Sequence, residues 1–340
     1  MNIVGRLAFG FELNTQSQST YRHIAAGIKA RSAISSVYMS WPDLRILDPL
    51  ITLLRPRSYE SDKEKLYKSL RTMIGARMAI PKDAKHDFYA QVSDELDPQD
   101  LWVEAIMIVG AGGSTTATTI TAIFFYLSRY PAAYERLASE IRSGFSSGRE
   151  IAQGPRLNAC TYLRAVIDEG LRLSTGTISN WRNQDAASIA AGEELVVDGH
   201  VIPPGTEVAI NAYSFMRNAE YFPEPFAFRP ERWLAEGGAE SEGQREHRAT
   251  MRRAFVPFSL GSRSCAGQPM AYLELNLAIA RAMWYFDFEK APGEAGKLGE
   301  TPGQPLEFKL EDATIVGHHG PNLVFHPRGD SWKQLLEQET

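Results

Sequence analysis

A chain of 340 residues, 44% hydrophobic and 23% charged, has the balance of a globular fold with a large core, not that of a disordered or fibrous chain. A formal charge of -5, with no basic block or stripe, argues against nucleic acid as the main partner. Two cysteines, Cys160 and Cys265, cannot build a disulfide framework and point to free thiols in a reducing compartment.

The N-terminal run "MNIVGRLAFGFELNTQSQ" has neither a charged-then-apolar signal pattern nor an anchor helix. Up to about Gln99 the apolar positions fall three and four apart, in 21–40 and again in 61–79, and predict amphipathic helices. Pro42, Pro49, Pro56 and Pro81 punctuate them. A long helix starts at "DPQDLWVEAI", with Asp97 or Asp100 as its cap. From Ala105 to Leu127 it carries no formal charge and is long enough to span a bilayer. Gly110, Gly112, Gly113 and the Ser/Thr run through Thr121 favour instead a helix buried in a large soluble fold. The same stretch holds G-x-G after an apolar run, which opens a remote alternative, a dinucleotide-dependent oxidoreductase. That reading needs Gly or Ala where Thr115 stands, and an acid ending a second strand where "SRYPAAYERLAS" reads as helix.

A further helix carries Pro131 in its first turn, and another covers "LRAVIDEGLRL". Residues 193–216 form a strand-like zone, with hairpin signals around Gly199 and around Pro203-Pro204-Gly205. The polar run 235–253 reads as a surface loop. A helix follows Cys265 through 271–286, and "GPNLVFHPR" closes the chain as a strand. The expected fold is mainly α with a minor β-sheet (α+β), one domain over 1–340.

Cys265 precedes a helix N-terminus, where free amides and the helix dipole favour a thiolate, and Arg263 adds positive charge. Gly261 and Gly267 let backbone approach something large and flat, or another helix. Taken alone, the cysteine reads first as buried and inert, the commonest fate of a free thiol, ahead of a thiolate metal ligand. The order Phe258, Gly261, Arg263, Cys265, Gly267 resembles F-x-x-G-x-R-x-C-x-G, the haem-binding loop of the cytochrome P-450 family. Glu169 and Arg172 make an E-x-x-R on one helical face. Their apolar flanks predict burial, and a buried pair needs further hydrogen bonds. Glu242 and Arg245 repeat the spacing within the polar run, where a solvated pair is expected.

The resemblance implies haem b (iron protoporphyrin IX) bound through Cys265, with a P-450-like fold that lacks its N-terminal part. It also implies an Arg263–propionate contact, and a structural triad of Glu169, Arg172 and Arg232 from "FRPERW" on the thiolate side of the haem. Arg182, beside Trp181, resembles the arginine that reaches the second propionate. In "GAGGSTTATT", Ala111, Gly112 and Thr115 resemble the central-helix motif that makes room for dioxygen and delivers protons. Ser114 stands where an acid is usual, and it can hold a water chain but cannot supply a proton as a carboxylate does. The implied activity is a monooxygenase placing one oxygen atom into a small apolar molecule, as in filamentous-fungal secondary-metabolite biosynthesis. Electrons would come from NADPH through a separate flavoprotein reductase, with Arg252, Arg253 and Lys290 as a docking patch or as ordinary solvated charges. The family sits at the cytosolic face of the endoplasmic reticulum, and membrane association is implied although this chain shows no anchor. Roughly the first third of a usual member is absent. The alternative is therefore a truncated, non-catalytic family member. A Cys–His hydrolase is disfavoured because His318, His319 and His326 show no pairing to Cys265.

Overall fold

Asp97 starts the longest helix: its carboxylate accepts the Asp100 amide at 2.9 Å, and Pro98 opens the first turn, where a missing N–H costs nothing. The computed structural model describes residues 1–54, 57–91, 97–235 and 241–338, with the backbone alone at 57–58, 98–99, 180–182 and 336–338. The helices are α1 (Asn2–Phe9), α2 (His23–Ser40), α3 (Asp48–Leu54), α4 (Arg57–Met78), α5 (Phe88–Gln91), α6 (Pro98–Leu127) and α7 (Pro131–Gly144). Then follow α8 (Pro155–Asn158), α9 (Thr161–Leu173), α10 (Ala186–Ala190), α11 (Ala212–Phe215), α12 (Glu242–Ala254) and α13 (Gln268–Tyr285).

The C-terminal half of α6 lies in the largest core: Ala122, Ile123, Phe125, Tyr126 and Leu127 pack with side chains of α7, α9 and α13. Helix α9 crosses α6 closely, since a Cβ on Gly170 would come within 2.3 Å of the Ile123 side chain. A second core joins α1, α2 and α4 to the first half of α6 through Val4, Ile24, Ile28, Leu66, Leu70 and Val109. By length and composition α6 could cross a membrane, but these contacts bury the apolar side chains of its C-terminal half, and part of its first half, in protein, as in a core helix.

The strands form two-stranded antiparallel ladders. They are β1 (Ser179–Arg182), β2 (Leu195–Val197), β3 (His200–Ile202), β4 (Val208–Asn211), β5 (Phe286–Lys290), β6 (Glu300–Thr301), β7 (Gln304–Phe308), β8 (Leu310–Glu311), β9 (Gly317–His318) and β10 (Leu323–Pro327). The hairpin at Gly199 joins β2 to β3 as expected. The turn at Pro203-Pro204-Gly205 also forms, but β4 beyond it pairs with β1 instead, Arg182 opposite Val208. β10 pairs with β5.

One remote alternative falls and one expectation is corrected. The apolar run before G-x-G is helix, not strand, so a dinucleotide fingerprint has no strand to follow. Within the polar run 235–253, the segment from Glu242 is helical, not loop. Ser241 and Gln244 form a reciprocal capping box, and Met251 and Ala254, three apart, bury one edge of α12. Glu242 and Arg245 lie exposed on this helix.

Candidate functional site

The cysteine loop is closed by its own backbone: the Cys265 amide donates to Phe258 O at 2.9 Å, and Ser264 N to Gly261 O at 3.1 Å. Gly261 has φ +76°, a conformation that favours glycine. Residues 260–269 are exposed throughout, Arg263 and Cys265 among them. Gly267 is the N-cap of α13, and a Cβ there would lie 3.6 Å from Cys265 Sγ. Cys160 is different: it is buried, and burial pushes its thiol up to about 11.

Two consecutive residues of α9 support the surroundings of this loop. Asp168 accepts from the Tyr272 hydroxyl at 2.9 Å, and the Tyr272 ring packs against Phe258 at 5.4 Å. Arg164 pairs with Asp168 at 3.0 Å and lies over Tyr272. Burial raises the Tyr272 hydroxyl, and the Asp168 charge adds to the shift. Next in sequence, Glu169 is fully buried and saturated with donors. Arg172 gives it two, at 2.9 and 3.0 Å. Arg232 Nε, the Arg229 amide and Trp233 Nε1 give one each, at 3.1, 2.9 and 3.0 Å. Burial alone would raise the Glu169 carboxyl, but Arg172, its hydrogen bonds and Arg232 outweigh it and hold the group below its ordinary range. Arg172 also donates to the carbonyls of Met216, Pro225 and Ala227. The buried pair thus has the further bonds it needs. Phe228 ties the Arg232 segment to α6 by stacking on Tyr126 at 4.9 Å.

On α6, Val103, Met107 and Ala111 are exposed and Thr115 is half-buried, a stripe at four-residue spacing along one face. The Thr115 hydroxyl donates to Ala111 O at 2.6 Å. The neighbouring Ser114 gives its carbonyl to the Thr118 hydroxyl at 3.0 Å. Gly112 faces elsewhere: a Cβ on it would meet Val4 of α1 at 3.1 Å, so its small size serves helix packing. Arg182 keeps its place in β1, and its side chain lies outside the described residues.

Of the three basic residues considered as a patch, Arg252 and Arg253 are consecutive on α12 and Lys290 stands on a separate strand. Arg252 donates to Trp233 O and Arg253 to Thr250 on α12. Lys290 lies in β5, beyond the far end of the 18-residue α13, about 27 Å along the helix from the cysteine end, and is paired with Glu300 at 2.5 Å. His319 pairs with Glu311 and His326 with Glu289, so neither histidine is engaged with the cysteine. Sequence reasoning missed Asp168, Tyr272 and Trp233. The first and last adjoin Glu169 and Arg232, which is the signal that could have raised them.

Among the described residues, no three His, Cys, Asp or Glu side chains group as a bare metal ion requires. The donor set is one exposed sulfur with a basic side chain two residues away. It suits a metal already held by a macrocycle, which asks the protein for a single axial ligand and a partner for its carboxylates. The residues present fit haem in this respect.

A mainly helical protein that offers one thiol ahead of its last long helix, on a loop reached by Asp168 through Tyr272 and Phe258, with a buried Glu–Arg–Arg cluster at the next position of the same helix, has the features of a haem-thiolate class. The family profile described as Cytochrome P450 matches residues 1–306, and the chain belongs to that family. It is 32% identical over 339 residues to cytochrome P450 monooxygenase lcsN of Purpureocillium lilacinum, covering 96% of each chain. It is 41% identical over 260 residues to cytochrome P450 monooxygenase apf7 of Gibberella fujikuroi, covering 73% of this chain and 47% of that one. It is 33% identical over 344 residues to cytochrome P450 monooxygenase poxM of Penicillium oxalicum, 95% of this chain and 60% of that one. The chain thus spans nearly the whole of one curated relative and only about half to three-fifths of the other two.

Proposed function

We propose that this chain is a haem-thiolate monooxygenase that places one atom of dioxygen into a small apolar molecule in fungal secondary-metabolite biosynthesis. The observation that carries the reading is the exposed Cys265 thiol, held in a closed loop ahead of α13 and braced through Tyr272 by the helix that bears Glu169 and Arg172. Haem b, when bound, supplies oxygen activation at an iron whose thiolate ligand donates electron density. Cys265 would supply the thiolate sulfur that holds the iron. Arg263 offers its guanidinium to a propionate, and Arg182 is assigned to the other. Phe258, Gly261 and Gly267 shape the loop, and the small Ala111 leaves space beside Thr115. Thr115 holds a proton at its hydroxyl oxygen, one it can direct away from Ala111 O. Ser114 completes the relay through water, since its hydroxyl both donates and accepts. Electrons enter from NADPH through a separate flavoprotein reductase.

Localisation at a membrane surface belongs to the same reading. The segment from Pro42 through α3 has no buried residue, and its apolar side chains, with Ile46 at 81% and Leu53 at 80% exposure, suit a lipid surface. A second reading, haem binding without turnover, is favoured by one observation: Ser114 replaces the usual acid.

The test is a reduced carbon-monoxide difference spectrum of the purified chain and of Cys265→Ala. The expected result is a thiolate-type band that the variant lacks. A chain that takes up no haem, or a band that survives the substitution, overturns the proposal. Haem uptake with NADPH consumption that yields only reduced oxygen selects the second reading.

A further inference from the structure

Resting on the haem-thiolate reading, we infer that Gly176 is a positioning residue for Thr115: the turn after α9 presses bare backbone against that threonine and fixes where its hydroxyl stands. A Cβ on Gly176 would lie 3.0 Å from both Cβ and Cγ2 of Thr115 and 3.8 Å from its Cα. Gly176 is not among the glycines with positive φ, so its backbone would accept other residues. The close approach to Thr115 is what argues for glycine here.

The contact cannot relax cheaply on either side. Thr115 Cβ is fixed to the α6 backbone, and rotating Cγ2 away would also swing the hydroxyl off Ala111 O, its partner at 2.6 Å. The turn is held at two further points. The Ser174 hydroxyl contacts Thr119 Oγ1 at 3.3 Å and donates to Gly170 O at 2.7 Å. Thr119 is one helical turn beyond Thr115 on the same face. On the other side, Gly176 O accepts the Val316 amide at 3.0 Å. The adjacent Ile315 is itself locked, because both its N–H and its C=O bond the buried Ser32 hydroxyl of α2, at 2.6 and 2.9 Å. The turn therefore sits wedged between α6 and residues 315–316, with glycine at its tightest point. Any side chain at 176 must displace the turn or rotate Thr115, and either motion moves the proton-bearing oxygen.

The experiment is a double-mutant cycle of Gly176→Ala with Thr115→Ser, which removes Cγ2 and keeps the hydroxyl. Gly75→Ala is the control, since a Cβ on that α4 glycine meets nothing within 4 Å. In urea unfolding, Gly176→Ala is expected to destabilise the wild type more than the Thr115→Ser background, the unfolding constants departing from additivity by at least about threefold. Gly75→Ala is expected to cost nothing. In the haem-loaded protein, the infrared stretch of bound carbon monoxide is expected to shift in both Thr115→Ala and Gly176→Ala, and to move back in the double variant. Additive unfolding constants, or a stretch that moves in Thr115→Ala but not in Gly176→Ala, overturn the inference. A wild-type chain that takes up no haem overturns the functional reading and with it the role of Gly176, and the urea cycle then measures the packing contact alone.

Discussion

At the scale of single residues, Glu169 has the most exacting surroundings described here: a fully buried carboxylate with five donors from Arg172, Arg232, Arg229 and Trp233. Removing its charge strands Arg172 in the core. Glu169→Gln is therefore expected to cost about 3–5 kcal/mol at pH 7. The sign of the pH dependence follows from the direction of its shift. A carboxyl held below its ordinary value stabilises the fold above that value and ceases to do so as pH falls through the depressed one. Wild-type stability should thus fall below about pH 4, and the gap to Glu169→Gln should narrow there. Urea midpoints measured from pH 7 to pH 3 check this, and a gap that stays constant contradicts it. Much of this residue-level chemistry was legible in the sequence. Spacing alone put Glu169 and Arg172 on one face, and their apolar flanks announced burial. Cys265, by contrast, was ambiguous until its neighbours were counted. Asp168 and Trp233 were not legible, because their partners, Tyr272 and Glu169, lie 104 and 64 positions away and no local period records a contact of that range.

At the scale of elements, the long helices were readable because the stretches of α2 and α4 repeat apolar positions three and four apart and α6 carries an uncharged apolar run too long for a strand. Helix α12 was not. Its mean composition is strongly polar, and only Met251 and Ala254 bury it, so the S-x-x-Q cap was a stronger signal than hydrophobicity. The partner of β4 was hidden for another reason: a tight turn fixes the direction of the chain but not which strand accepts the returning one, and β1 was available upstream. The segment from Trp41 through α3 makes its own prediction. Leu50, Leu53 and Leu54 are all exposed, and replacing all three with serine removes apolar area without touching either core. In flotation with vesicles of phosphatidylcholine and phosphatidylserine, the wild type is expected to rise with lipid and the triple variant to stay behind. Equal flotation of the two would assign the membrane contact elsewhere.

At the scale of the molecule, the fold class was legible because it sums many independent helix signals, each tolerant of local error. The joining of α1, α2 and α4 with half of α6 into a separate core was not legible, since amphipathic faces show that a helix is buried but not against which neighbour. A ligand bound only by the folded chain stabilises the whole fold by mass action, about 2.7 kcal/mol at a hundredfold excess over Kd. Haem titration is expected to raise the thermal midpoint of the wild type by several degrees and that of Cys265→Ala by much less. Equal shifts in the two proteins would show that the sulfur is not the ligand.

Adjacent positions on α9 serve different neighbours: Asp168 reaches Tyr272 under the cysteine loop, and Glu169 reaches the Arg232 segment. Neither can be re-aimed alone. Inserting one residue ahead of them would turn both by about 100° and unseat loop and segment together. Chimaeras that exchange either piece with a relative should keep α9 and its two clients from a single parent.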